Sequence, residues 1–93
     1  MSVTLGQVVV SRAGRDIGRR FVVTKVIDDN YVHICDGDLR RVEKPKKKKI
    51  KHLEPTGDKL EALEEKLKSN ARISNADIRK ALAGLSSTPE NED

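Results

Sequence analysis

Short segments rich in β-branched residues, separated by turn-forming residues, occupy the first half of the chain and constrain its fold more than any other feature. Some of these segments are enriched in the β-branched residues that strands prefer, and others alternate between apolar and polar residues. Two turn signals, Asp28-Asp29-Asn30 and Asp36-Gly37-Asp38, separate the middle segments. The predicted strands are Leu5–Ser11, Phe21–Asp28, Tyr31–Cys35, Leu39–Glu43 and a short one around Ile50–Leu53. Five closely linked strands in about 50 residues favour a small β-barrel.

After residue 55 the hydrophobic period changes from that of a strand to that of a helix. Three leucines, Leu60, Leu63 and Leu67, fall on one stripe and predict an amphipathic helix that ends near Lys68. Asp58, three residues before Glu61, resembles a capping box at its start. We expect this stripe, together with Ile78 and Leu82 further along the chain, to pack against the barrel or between two helices. The alternative is that part of it stays exposed and docks a partner protein.

A second helix has a sharper start signal. Ser74 is expected to be its N-cap with Asp77 at the third helical position, and Ile73 and Ile78 have the spacing of a hydrophobic staple. Gly84 is a plausible stop. The fold class is therefore mainly β with C-terminal helices (α+β): a barrel over residues 1–55, a helical extension over 56–85 and a disordered acidic tail over 86–93.

Charge is unevenly distributed along the 93 residues, whose net charge is +4. Residues 1–55 hold 13 Lys or Arg against 7 Asp or Glu, whereas residues 56–93 hold 6 against 8. The positive field of the first part predicts a polyanionic partner. Phe21 and Tyr31 are the only aromatic residues, so contacts with phosphates are expected in place of extensive base stacking.

The segment from Gly6 to Val26 resembles the KOW motif of ribosomal and transcription-associated proteins. It has a glycine entering the first strand, a run of valines, and a Gly14-x-Asp16-x-Gly18 loop flanked by basic residues before a second valine-rich strand. The continuation, residues 36–41 and 44–53, resembles a bacterial KOW subfamily related to large-subunit ribosomal proteins of archaea and eukaryotes. The resemblance covers about residues 3–55. It implies a small SH3-like β-barrel of about five strands, RNA binding and a place on or near the ribosome.

The loop of this motif is the first candidate for phosphate contacts. Gly14 and Gly18 would let the backbone approach a phosphate or turn sharply, with Asp16 as a third loop-shaping residue. The surrounding arginines can donate two parallel hydrogen bonds to a phosphate. The alternative is structural: the glycines close a hairpin and Asp16 pairs with an arginine.

A lysine run is the second candidate. Lys44–Lys51 holds six lysines in eight residues, and their repulsion predicts a mobile loop that settles on a polyanion. The alternative is a solvated surface run. Tyr31 is a further candidate, for stacking on a base or ribose, or else a barrel residue. The predicted RNA-binding residues are Arg12, Arg15, Arg19, Arg20, Arg40, Arg41, Lys44, Lys46, Lys47, Lys48, Lys49, Lys51 and Tyr31.

Metal binding and catalysis are not expected. His33 and Cys35 share a face of a predicted strand, but only His52 could add a ligand of the same kind. Cys35 is expected to be a small core residue and His33 a structural or RNA-facing one. No nucleophile motif, P-loop or dinucleotide fingerprint is present. A single cysteine and the absence of a long apolar run favour a reducing cytoplasm and no membrane partner.

The sequence therefore predicts a non-enzymatic protein that binds structured RNA. Ribosomal RNA is the first expected partner and transfer RNA the second, with ribosomal proteins as further neighbours and no cofactor or small-molecule substrate. Two alternatives stay open. One is a protein-interaction module of the transcription or translation machinery that docks through barrel and helices, and the other is a binder of duplex DNA.

Overall fold

The computed structural model describes residues 3–86 and is mainly β with C-terminal helices, as predicted. A three-residue 3-10 turn, Ile50–His52, joins the last two strands. The sheet is antiparallel with the order β4-β3-β2-β1-β5. The elements are β1 (Gln7–Ser11), β2 (Arg20–Val26), β3 (Tyr31–Cys35), β4 (Lys46–Lys49), β5 (Leu53–Lys59), α1 (Glu61–Lys68) and α2 (Asn75–Ser86).

The short turn between β4 and β5 forces the sheet to curl. These strands are its two edges, which in a flat five-stranded sheet would lie about 19 Å apart. Only Ile50–His52 separates them along the chain, and a 3-10 helix rises about 2 Å per residue. The two edges must therefore approach each other, which closes the strands into a small SH3-like barrel.

Aliphatic residues and one phenylalanine fill the inside of the barrel. Side chains alternate across each strand, so Phe21 and Val23 of β2 point inward together with Val32 and Ile34 of β3, and all four are fully buried. The inner cluster comprises Val3, Val9, Phe21, Val23, Val32, Ile34, Ile50 and Leu53. The intervening residues of the strands consequently face outward.

The two helices cover one part of the outer face of the sheet. Val22 and Cys35 pack there against Leu63 of α1 and Ile78 of α2. Val42, Leu60, Ile73, Ala81 and Leu82 are partly buried around them. The predicted packing of the helical stripe is confirmed for Leu60, Leu63, Ile78 and Leu82, and Cys35 is a core residue whose burial raises the pKa of its thiol. Within residues 3–86, neither helix is long and apolar enough to cross a membrane.

α2 begins as the sequence predicts but ends later. The amide of Asp77 donates to Ser74 Oγ, and the amide of Ser74 donates to Asp77 Oδ2, each at 3.1 Å. The predicted stop at Gly84 is wrong, because the helix continues to Ser86. A glycine inside a helix costs only about 1 kcal/mol relative to alanine. Apart from Ser86, the predicted disordered tail lies outside the described residues.

The predicted strand Leu39–Glu43 is wrong, because the whole connection from β3 to β4 is an irregular loop. Asp36 Oδ1 accepts hydrogen bonds from the amides of Asp38 and Arg40, both at 2.9 Å, and these bonds curl the backbone. The amide of Val42 donates to Asn75 Oδ1 of α2 at 2.8 Å. It is therefore not available for a strand ladder.

The lysine run is also different from the prediction. Its centre is not a mobile loop but the strand β4, which pairs with β3 from Lys46 to Lys49. Most of the strand predicted around Ile50–Leu53 is the 3-10 turn, and β5 begins at Leu53. A strand can form here because its ladder bonds are made by backbone groups and every second lysine points away from the next.

The capping box predicted at Asp58 is wrong. β5 continues through Asp58 to Lys59, and Lys59 pairs with Gln7 of β1. The N-cap of α1 is Leu60, which makes no side-chain capping bond. The amide of Asp58 donates a hydrogen bond to Thr56 Oγ1 at 3.2 Å within the strand. Local hydrogen bonding in β5 therefore replaces the expected helix cap.

Gly37 lies where the β3–β4 loop meets the start of α2. Its φ is +79°, and a Cβ placed on it would collide with the carbonyl oxygen of Asn75. Gly57 in β5 also has a positive φ, +92°, but a Cβ there would meet open space. The two glycines thus share a backbone constraint and differ in the contact with α2.

We expect Gly37→Ala to lower the free energy of unfolding by about 3 kcal/mol or more, and Gly57→Ala by about 1–2 kcal/mol. The left-handed backbone penalty applies to both, whereas only Gly37→Ala must push α2 away. Urea unfolding of the full chain would measure both losses. Equal losses would show that α2 does not rest on Gly37.

Candidate nucleic-acid interface

Two lysines of β4 point toward the inside of the barrel. Lys46 and Lys48 lie opposite Ile34 and Val32, whose side chains fill the core. Lys48 is buried, and its Nζ donates to the carbonyl oxygen of Ala13 at 2.8 Å. This bond ties β4 to the β1–β2 loop. Lys48 therefore serves the fold, whereas Lys46 is half-buried at the rim.

The other two lysines of β4 point outward. Lys47 and Lys49 lie opposite His33 and Tyr31 of β3, and both lysines are exposed. Lys47 Nζ lies 4.6 Å from the centroid of the Tyr31 ring, which is a cation–π contact. On the far side of β3, Lys25 of β2 lies opposite His33. We call Lys25, Tyr31, His33, Lys47 and Lys49 the basic face.

The basic face contains a row of three basic side chains across three strands. Lys25 and Lys47 lie on either side of His33, so their positive charges repel each other across the row and oppose protonation of the imidazole between them. Burial lowers the pKa of His33, and the positive charges of Lys25 and Lys47 lower it further. Among residues 3–86, no ion pair includes Lys25, Lys47 or Lys49. The repulsion is therefore not offset by an acidic partner in the described part of the chain.

A groove beside the β3–β4 loop extends the basic face. Lys47 belongs to both, so the positive surface is continuous. No acidic side chain lines this loop groove, and its wall carries five cations. The lining residues are Leu39, Arg40, Arg41, Lys44, Pro45, Lys46 and Lys47.

Two predicted arginines fasten the loops to each other. Arg40 donates through Nε and Nη2 to Asp16 Oδ2 at 3.1 and 2.9 Å. Arg19 Nη2 donates to Asp36 Oδ2 at 3.1 Å. Each carboxylate side chain is only 6% exposed. Asp16 does pair with an arginine, as the structural interpretation of the loop expects, and the β1–β2 and β3–β4 loops are held together.

Hydrogen bonds keep Asp36 ionised within this junction. Burial alone would raise the pKa of its carboxyl group. The backbone amides of Arg40 and Asp38 and the side chain of Arg19 outweigh that effect and hold the pKa below its ordinary value. The loop therefore presents a fixed negative charge to Arg19, which restricts how that arginine can meet a phosphate.

The remaining predicted residues differ in how free they are. Arg12 forms an exposed ion pair with Glu54 at 2.6 Å, and exposed pairs of this kind contribute only about 0–1 kcal/mol. Gly14 and Gly18 have φ of +83° and +86°. Arg20 and Tyr31 are half-buried. Of these remaining predicted residues, four are exposed and take part in no ion pair among residues 3–86: Arg15, Arg41, Lys44 and Lys51.

Sequence reasoning missed Lys25 as a member of the site. Strict alternation from the inward-facing Phe21 and Val23 would turn Lys25 inward as well. The pairing of β2 with β3 shifts between Val23 and Lys25, and this bulge turns Lys25 to the outer face beside His33. Residues 3–86 contain no group of three His, Cys, Asp or Glu side chains that could hold a metal ion.

Strand order, the 3-10 turn and the Gly-x-Asp-x-Gly loop together define a KOW-type SH3-like barrel. No family model matches the chain. The chain is 38% identical over 55 residues to large ribosomal subunit protein eL14 of Desulfurococcus amylolyticus, and 41% identical over 59 residues to that of Pyrobaculum arsenaticum. These matches cover 59% and 63% of this chain, and in each case 57% of the relative.

A shorter relative is matched over more of its length. The chain is 33% identical over 60 residues to large ribosomal subunit protein eL14 of Methanococcus vannielii, which covers 64% of this chain and 71% of that protein. The chain belongs to the eL14 family of large-subunit ribosomal proteins. The relationship to ribosomal proteins expected from the KOW motif is therefore confirmed.

Lys47 and Lys48 are neighbours whose replacement should affect stability to very different degrees. We expect Lys48→Ala to lower the free energy of unfolding by about 2–3 kcal/mol, because it removes a buried stem and the hydrogen bond to Ala13. Lys47→Ala should change it by less than about 0.5 kcal/mol. Urea unfolding would measure both. Similar losses for the two variants would contradict the assignment of inner and outer faces.

His33 should titrate below its ordinary pKa of 6.5. Lys47→Gln should raise the pKa of His33, although only in part, because burial is the larger cause. Stability should also fall as the pH drops below about 6.5, since the unfolded chain takes up this proton more readily. An NMR pH titration of the imidazole ring would measure the pKa, with Lys80→Gln on α2 as the control that leaves it unchanged. A pKa insensitive to Lys47→Gln would refute the arrangement of the row.

Proposed function

We propose that this protein is a non-enzymatic, ribosome-associated protein that binds ribosomal RNA through the basic face and the loop groove. The observation that carries the proposal is the row of Lys25, His33 and Lys47, in which the two lysines repel each other and oppose protonation of His33, and no described ion pair offsets their charge. A phosphate backbone laid along the row would replace that repulsion with attraction. Support also comes from the relatives, which are named large ribosomal subunit proteins.

The chemistry of the proposed contact follows from the side chains. Lysine ammonium groups act as point charges toward phosphate, and each contact releases condensed counterions into solution. A phosphate beside His33 would favour its protonated form and so add a third charge. Tyr31 lies against Lys47 and offers a ring edge for a ribose or base.

Not all predicted residues have the same role in this proposal. Direct phosphate contact is assigned to cations that are exposed and have no described ion-pair partner. Arg19 and Arg40 are positioning residues, because they fix the loops through Asp36 and Asp16. Arg12 can contact RNA once its exposed ion pair with Glu54 is broken. The direct contacts are Arg15, Lys25, Arg41, Lys44, Lys47, Lys49 and Lys51.

A protein-docking function is the second candidate, and one observation favours it. Ile17 and Leu39 are 63% and 59% exposed. They adjoin Asp16 and Arg40, whose ion pair joins the two loops. Apolar tips of this kind could contact a neighbouring ribosomal protein. Such a contact would respond weakly to salt, whereas phosphate binding responds strongly.

We expect the logarithm of the affinity for a ribosomal RNA fragment to fall linearly with the logarithm of the salt concentration. The slope should be roughly −3 to −5 if four to six of the seven assigned cations meet phosphates at once. Lys47→Gln combined with Lys49→Gln should make the slope less negative by about 1.4–1.8 and weaken binding roughly tenfold or more near 0.1 M salt. Fluorescence anisotropy of labelled RNA would measure both quantities.

The matched control is Lys66→Gln combined with Lys80→Gln, which removes the same charge from the two helices. This control should change the slope by less than about 0.3 if the contacts are local. Duplex DNA of the same length should bind more weakly than A-form RNA, since its shape and its lack of 2′-hydroxyl groups differ. A slope near zero, or equal effects of the two double variants, would refute the proposed interface.

A further inference from the structure

A second groove lies on the other side of the β3–β4 loop, between the barrel and α2. Its charged wall carries three arginines and two aspartates: Arg19, Arg20, Arg79, Asp36 and Asp38. Gly18, Leu82 and Ala83 complete the lining. We call this the helix groove. The charge of Asp36 is already matched by Arg19, so Arg20 and Arg79 leave the groove positive against Asp38.

Arg20 has an unusual environment in this groove. On β2 it shares the outer face with Val22, which is the face that α2 covers. Its Nη1 is buried and has no hydrogen-bond partner among residues 3–86. Guanidinium nitrogens buried without an acceptor are rare in folded proteins, because losing water without a replacement bond costs free energy. Arg20 as a whole is half-buried and lines the groove, so its side chain is accessible from the groove while no described acceptor satisfies Nη1.

Arg79 holds the helix side of the same groove. Its Nη1 donates to the carbonyl oxygen of Gly37 at 2.6 Å, which fixes the guanidinium against the loop. A guanidinium has five N–H donors, so one such bond leaves others for a ligand. Arg20 of β2 and Arg79 of α2 therefore bring two guanidinium groups to one groove, and the guanidinium fork suits the oxygens of a phosphate.

The two grooves flank a single loop. The β3–β4 loop contributes Asp36 and Asp38 to the helix groove and Leu39, Arg40 and Arg41 to the loop groove. Backbone phosphates bound in both grooves would therefore lie on opposite sides of this loop. Double-helical RNA presents two phosphate backbones on either side of a shallow minor groove, where a loop can lie between them.

We propose that the helix groove is a second phosphate-binding site, at which Arg20 and Arg79 hold one RNA backbone while the basic face and loop groove hold the other. This inference rests on the proposed function, because it places the helix groove and the basic face on one RNA. It gives α2 a part in RNA binding, and it makes double-helical RNA the expected ligand.

The test compares Arg20→Met with Arg72→Met in the full chain, using a 20-base-pair RNA duplex of mixed sequence. Arg72 is exposed, precedes α2 and lines neither groove. We expect Arg20→Met to weaken binding roughly tenfold near 0.1 M salt and to make the salt slope less negative by about 0.7–0.9, the value of one contact. Arg72→Met should change neither quantity.

Stability and a small probe separate ligand binding from a structural role. Arg20→Met removes a guanidinium nitrogen without a partner, so the urea midpoint should stay unchanged or rise. Inorganic phosphate added to the unaltered protein should shift the Nε–Hε NMR signal of Arg20 saturably and leave that of Arg72 in place. Arg20→Lys keeps the charge without the fork, and should retain the slope while binding RNA more weakly.

Each outcome decides between the two proposals. If Arg20→Met binds the duplex like the unaltered protein while the Lys47 and Lys49 double variant loses affinity, the helix-groove site is refuted and the proposed function stands. An Arg20 signal unmoved by phosphate would refute the site in the same way. If neither variant loses affinity, the proposed function fails as well.

Discussion

The antiparallel pairing of β4 with β3 is the constraint on which the rest of this structure depends. Four consecutive lysines repel one another, yet the ladder holds them in a register that sends two inward and two outward. Ile50 anchors the end of this strand, because its side chain is buried in the core and its amide donates to the carbonyl oxygen of Asn30 at 2.8 Å. A shift of one residue would exchange the two faces, so the same anchor fixes both the core and the positive surface.

Buried carboxylates decide which arginines remain available. Asp16 and Asp36 each form an ion pair with one arginine, and these pairs join loops that lie far apart in the sequence. Removing either arginine would leave a buried carboxylate without its ion-pair partner, which is destabilising. A count of basic residues therefore overestimates the number of cations that are free to bind an external anion. The cations of the basic face have no ion-pair partner among the described aspartates and glutamates.

Sequence patterns predicted the elements whose local signals agree with their tertiary contacts. β1, β2 and β3 follow their β-branched runs, and α2 follows the reciprocal bonds of Ser74 and Asp77. The incorrect predictions share a cause: a residue or strand that is distant in the sequence forms hydrogen bonds with the local backbone, which local patterns do not show. Asn75 captures the amide of Val42, so no strand forms there, and pairing with β3 makes a strand from a lysine run that local repulsion would disperse. The bulge beside Lys25 had no signal in composition at all.

The contacts of α2 with the β3–β4 loop have a consequence for how the protein matures during synthesis. α2 contacts the loop near both of its ends. At one end Arg79 donates to the carbonyl oxygen of Gly37. At the other end Asn75 accepts from the amide of Val42 and donates to the carboxylate of Glu43. All five strands leave the ribosomal exit tunnel before these helical residues do. A nascent chain can thus complete its sheet before the β3–β4 loop is fixed, and the geometry of the two grooves beside that loop becomes final only when α2 docks.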